Sequence, residues 1–198
     1  MNNIEKFREA YNANIKREGS AELLAWIEST DFYTAPASTR FHGNMEGGLV
    51  AHSLNVYGCL RAELERLNLI GDEKGKYSEE SIAIVALLHD LTKIGTYKIA
   101  TRNVKNEETG QWEKKPYYTY SRDEVLGEHG DESVFRIMKF MKLDDEEIMA
   151  IRAHMGGFDA AARGGSNYTG EIFERSKLAL LTHLADVKAT YLYDKKAE

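Results

Sequence analysis

The most chemically loaded stretch of this chain is Leu88-His89-Asp90-Leu91-Thr92-Lys93-Ile94-Gly95, which follows an apolar run from Ile82. An aspartate is seldom buried without a partner. The His-Asp pair is therefore either solvated at a helix end or engaged with a metal. Lys93 stands three residues after Asp90 and four after His89, so on a helix all three share a side. It reads either as a cation facing a helix C-terminus or as one placed to meet an anion beside a metal. All six histidines lie beyond residue 41. His42 and His52 flank Gly47-Gly48, His129 follows an aromatic stretch, His154 precedes a glycine-rich one, and His183 comes three residues before Asp186. A single cysteine, Cys59, cannot build a thiolate site. A transition-metal site here must use imidazole and carboxylate, which suit Mn, Fe, Co, Ni and Zn, with Mg also compatible. Asp90 has two carboxylate oxygens and can bridge two ions. Taken singly, each residue has a plainer reading. A lone histidine such as His52 is more often a satisfied core residue, and Asp186 on a helix reads as solvated. Only the joint pattern points to metal.

These residues need a scaffold, and the periodicity supplies a mainly α one. Ile4, Phe7, Tyr11 and Ile15 predict an amphipathic helix over 2–18, and Ser20 reads as the cap of a short second helix. Residues 1–40 are packing elements without chemistry, and 29–45, with Pro36, are irregular. A helix from Glu46 to Leu67 has Leu49/Val50, Leu54, Tyr57, Leu60, Leu64 and Leu67 as its core stripe, with His52 on its flank. The cost of Gly47-Gly48 at its start is tolerable where another backbone or a ligand comes close. Gly71–Tyr77 is a charged loop. Ser78 caps the helix that ends in His89-Asp90. Residues 96–120 are aromatic and β-branched around a turn at 107–110, which predicts an inserted β-hairpin with Pro116 at an edge. Helices resume near Gly127 or Glu128, and Asp144 caps the one ending near His154. Residues 155–170 read as a glycine-rich loop. A last helix over 171–193 has an apolar stripe of Phe173, Leu180, Leu184, Val187 and Tyr191. A second stripe beside it holds Ser176, Ala179, His183, Asp186 and Thr190.

The bulk numbers narrow the setting. At 198 residues a single domain, 1–198, is expected. The net charge of −6 argues against attraction to duplex phosphates. The N-terminus carries no apolar signal region, and no stretch approaches the ~18 unbroken apolar residues of a membrane span. A lone cysteine suits a reducing cytoplasm, the expected location.

The run Phe41-His42-Gly43-Asn44-Met45-Glu46-Gly47-Gly48-Leu49-Val50-Ala51-His52-Ser53, then His89-Asp90, then Asp186, resembles the HD-domain metal-dependent phosphohydrolase superfamily, whose ordered signature is His … His-Asp … Asp. The resemblance covers about residues 41–193. It implies an HD-type helical bundle, with the 96–120 hairpin as an insertion. Gly127-Glu128-His129 after the hairpin, and Arg152-Ala153-His154-Met155-Gly156-Gly157, look like the HD domain of certain bacterial 3′-5′ exoribonucleases. Met155 departs from their His-His-Gly. The nucleic-acid-binding barrel of those enzymes has no counterpart in residues 1–40. By this resemblance His52, His89, Asp90 and Asp186 bind a first divalent metal, and His129 and His154 supply a second with Asp90 bridging. Asp90 and Lys93 are then catalytic, with Lys93 on the scissile phosphate.

The expected reaction is hydrolysis of a phosphate mono- or diester by a metal-activated hydroxide. The expected substrate is a nucleotide or a short single-stranded nucleic-acid end. Candidate substrate contacts are Lys93, His42, His183, Arg152, Arg163, Asn167 and Tyr168, the last three in a segment able to act as a lid. Two other readings stand beside it: a di-iron oxygenase of the same fold, and a non-catalytic regulatory domain.

Overall fold

The computed structural model describes residues 1–121 and 126–195; residues 122–125 and 196–198, which the expected domain 1–198 also spans, lie outside the described residues. The chain is mainly helical, with one antiparallel two-stranded hairpin. None of its described helices is long and apolar enough to cross a membrane.

Helix α1 (Asn3–Asn14) starts in a capping box, in which Asn2 and Glu5 satisfy each other's backbone N–H groups. It stops at Asn14, short of the expected 18. Helix α2 (Ser20–Glu28) is entered through Gly19 in the left-handed region, so Ser20 is its first residue and not its cap. Phe7, Tyr11, Leu23 and Ile27 place both helices in the core. Between them, Arg17 forms a two-bonded pair with the fully buried Glu147, at 2.7 Å for each bond.

Helix α4 (Glu79–Leu88) is the central element. Every side chain from Ile82 to Leu88 is fully buried, the pattern of a helix packed on all sides. It packs on α1, on α3 (Gly48–Arg66) and on α6 (Asp145–Ala153). The start of α3 has the close approach that its glycines suggested. A Cβ on Gly48 would lie 1.9 Å from the Gly43 carbonyl oxygen. The buried face of α3 is Leu49, Val50, His52, Ser53, Val56, Leu60 and Leu64; Leu67 is exposed, and His52 lies in the buried face and not on its flank.

The hairpin pairs β1 (Tyr97–Lys105) with β2 (Trp112–Tyr120) in a register that sets Tyr97 opposite Tyr120 and Lys105 opposite Trp112. Helix α5 (His129–Met138) follows, then α6, capped by Asp144 as expected.

Two expectations fail after α6. Residues 155–170 are not a plain loop. A 3-10 turn (Gly156–Phe158), a short α7 (Ala160–Arg163) and the start of α8 (Tyr168–Arg175) occupy them. The last helix is also broken. At Ser176 the backbone is extended (φ −122°, ψ 111°), and the Ser176 side chain caps a new helix, α9 (Lys177–Lys188), by accepting from the Ala179 N–H at 3.1 Å. A π-turn (Ala189–Tyr193) follows. The face of α9 turned to the core is Leu178, Ala179, Leu181, Thr182 and Ala185, whereas Leu180, Leu184 and Tyr191 of the expected stripe are exposed.

Candidate metal centre

The centre is built where helix ends meet. The last carbonyls of a helix have no partner within it, and two helices here solve this with the same device. His89, just past α4, donates from Nδ1 to the Ala86 carbonyl at 2.9 Å. His154, just past α6, donates from Nδ1 to the Ile151 carbonyl at 2.7 Å. A carbonyl only accepts, so each Nδ1 carries the proton and each Nε2 faces the interior with its lone pair. His52, in the second turn of α3, has its Nδ1 fixed by another route. Its Nδ1 meets the Asp194 carboxylate at 2.7 Å, and Asp194 also accepts from the Asn55 amide at 2.7 Å.

Asp90 stands between these rings. Its Oδ2 lies 3.4 Å from His89 Nε2, 3.5 Å from His52 Nε2 and 2.5 Å from the Lys93 ammonium. Its Oδ1 lies 2.8 Å from His129 Nε2 and 3.6 Å from His154 Nε2. Asp186 completes the first side, with Oδ1 3.1 Å from His52 Nε2. Two groups able to hold a metal ion, His52/His89/Asp90 and Asp90/His129/His154, therefore share Asp90, and in each group the ligand atoms lie within 4.8 Å of one another. A third combination, His42/His52/Asp194, overlaps the first at His52.

The donor set suits a cation. His52 Nε2 and His89 Nε2 are 3.3 Å apart. His154 Nε2 is buried without a hydrogen-bond partner, as is His42 Nε2. Orphaned buried ring nitrogens are costly, and a divalent ion among imidazoles and carboxylates satisfies them.

Electrostatics agree with the geometry. Burial pushes the Asp90 carboxyl up, but the Lys93 ammonium beside it and the hydrogen bond to His129 outweigh it and hold it well below the carboxylate range. Asp186 is likewise pushed up by burial and brought down, net, by His52. Burial lowers His52, yet the hydrogen bonds to Asp186 and Asp194 raise it to about 9. His42, half-buried and beside His52, is lowered to about 4 by loss of solvent and by that neighbour.

The centre opens into a cavity of about 810 Å³, lined in part by Asp90, Lys93, His129 and Asp186. Of the remaining candidates, His42, His183 and Arg163 line it too. The His42 ring stands 4.9 Å from that of His52. His183 donates from Nδ1 to the His154 carbonyl at 2.7 Å, which turns Nε2 away from that bond. Its ring rests against Gly156, where φ is +55° and a Cβ would lie 2.3 Å from the imidazole. Three expected contacts lie off the cavity. Arg152 pairs with Asp131 and Asp159 and covers the Tyr168 ring. Asn167 faces a separate, shallow depression.

Asp194 escaped the sequence reading. It sits in a polar tail beyond a five-residue π-turn, so helical spacing from Asp186 does not lead to it. The aromatic rim of the cavity, Phe41, Tyr120, Phe158 and Tyr191, was missed as well, since exposed rings from four separate segments share no spacing.

No protein-family model, curated protein or solved structure matches this chain.

Proposed function

We propose that the protein is a metal-dependent phosphohydrolase of the HD-domain type, acting on a phosphate mono- or diester of a nucleotide or of a short single-stranded nucleic-acid end. One observation carries the reading: the two oxygens of the buried Asp90 are divided between two clusters of ligand atoms, beside a lysine and under an open cavity. A pair of divalent ions held there supplies Lewis acidity and a water of lowered pKa.

The chain's own residues do the rest. His52, His89, Asp90 and Asp186 hold the first ion, and Asp90, His129 and His154 hold the second. Lys93, already drawn to Asp90, turns to the phosphate and stabilises the charge that grows on its oxygens. His183 has its Nδ1 proton committed to the His154 carbonyl, which leaves its Nε2 lone pair to accept a hydrogen bond from the substrate. His42 and Arg163 contact the substrate from the cavity wall, and the aromatic rim favours a planar base over a bare phosphate. The acidic net charge favours a small nucleotide or a strand end over duplex.

The test is phosphate release from a panel of nucleotides, cyclic nucleotides, alarmones and short oligonucleotides by metal-supplemented protein. Close to two equivalents of metal should copurify. Asp90→Ala should lose metal and activity while keeping its helical signal, and His129→Ala should lose one equivalent. Full activity in metal-free wild type overturns the proposal. Oxygen consumption by the iron-loaded protein without phosphate release assigns the oxygenase reading instead.

A further inference from the structure

The hairpin is left unexplained by the metal centre. Residues opposite one another in an antiparallel ladder share a face. One face of the hairpin therefore begins with Tyr97 and Tyr120, continues through the pairs Ile99–Tyr118, Thr101–Pro116 and Asn103–Lys114, and ends with Lys105 and Trp112. Tyr97 and Tyr120 pack with ring centroids 5.4 Å apart, and both line the cavity of the metal centre. Tyr120 is 65% exposed and Trp112, at the far end, is 70% exposed. None of the hairpin's own residues on this face is a carboxylate: Glu113 points to the opposite side, and Glu107 and Glu108 lie in the turn. Glu46 stands near Tyr118. Over residues 97–120 there are five cationic side chains against three acidic ones, on a chain whose net charge is −6; Lys105 and Lys114 lie on this face, and Lys98, Arg102 and Lys115 on the other. At about 3.4 Å per residue the ladder runs on the order of 30 Å outward from the cavity.

We propose that this face is a docking surface for single-stranded nucleic acid. The strand lies along the hairpin with bases on Trp112, Tyr118 and Tyr120 and its backbone on Lys105 and Lys114. One end enters the cavity beside Lys93. Rings that accept any base, interleaved with cations that follow the phosphates, are the chemistry of sequence-tolerant single-strand binding. Lysines and rings share this one long face, with Lys105 paired directly with Trp112 and Lys114 two residues along the strand from Trp112.

This inference rests on the phosphoester reading of the centre, so binding is measured apart from hydrolysis. Fluorescein-labelled short oligouridylate and oligothymidylate are titrated with the full-length protein in EDTA, and anisotropy is read at two salt concentrations. Wild type should bind both strands more tightly than a duplex of equal length, and less tightly as salt rises. Trp112→Ala should weaken binding about tenfold and Trp112→Phe should restore most of it. The Lys105→Glu, Lys114→Glu double variant should weaken it about tenfold or more and flatten the salt dependence. Lys115→Glu, on the opposite face, should change it by no more than about twofold. Absence of strand binding by wild type, equal binding by the Trp112 and lysine variants, or conversion of a dimer to a monomer by Trp112→Ala overturns the assignment. Phosphate release from nucleotides by a wild type that binds no strand overturns it and leaves the hydrolase standing. Strand binding by a wild type that releases no phosphate does the reverse.

Discussion

Three histidines present Nε2 to the centre because something fixes Nδ1: a carbonyl one turn back for His89 and His154, a carboxylate for His52. Such outer partners set ring orientation and basicity. Asp194→Asn should therefore lower metal affinity about 10- to 100-fold with little change in helical signal, as read by competition titration of the metal-free protein. The His52 shift has its own signature. Its folded value, about 9, lies above the ordinary 6.5 because Asp186 and Asp194 outweigh burial. The imidazolium thus stabilises the metal-free fold fully below about pH 6.5, and this contribution is lost as pH rises through about 9. An ion at Nε2 replaces that proton. The melting temperature in EDTA should fall across this window, and that of metal-loaded protein should fall less. At Gly156, where the backbone is left-handed and the His183 ring leaves no room for a Cβ, Gly156→Ala should cost about 1–3 kcal/mol in urea unfolding.

Among the elements, the helix ends do most of the positioning, and they also mark where the sequence was hard to read. The pattern in α3, α4, α5 and α6 was legible because each has a strong apolar period or a plain cap, and the hairpin was legible from its β-branched and aromatic runs. The six residues expected as metal ligands all converge. The final helix was misread because Ser176 looks like an ordinary helical position. Its extended backbone restarts the helix and rotates the phase, so the stripe of Leu180, Leu184 and Tyr191 faces outward. Of the contacts expected in 155–170, Arg163 lines the cavity, whereas Asn167 and Tyr168, at the start of a short helix, lie off it. Ser176→Ala removes the α9 cap and the Ser176–Glu146 bond of 2.5 Å, and should cost about 1–2 kcal/mol by urea denaturation.

Across the whole molecule, the centre draws on α3, the end of α4, the start of α5, the end of α6, α9 and the segment after it. Residues from position 52 to position 194 must be in place together, so ion binding reports the assembled tertiary structure and not any one helix. Metal in excess of its dissociation constant should raise the melting temperature and EDTA should lower it, by an amount that grows with the logarithm of free metal. The segment carrying Asp194 is itself tied across the chain, since the Gly43 N–H donates to the Lys195 carbonyl at 2.7 Å, beside His42. This has a consequence in time. A chain emerges from the ribosome N-terminus first, so His52, His89 and Asp90 are exposed to the cell's metal pool long before Asp186 and Asp194 exist. Tight capture of an ion at this centre would have to wait for the last of these to appear, and a chain truncated before Asp186 should bind metal more weakly than the full chain in competition titration.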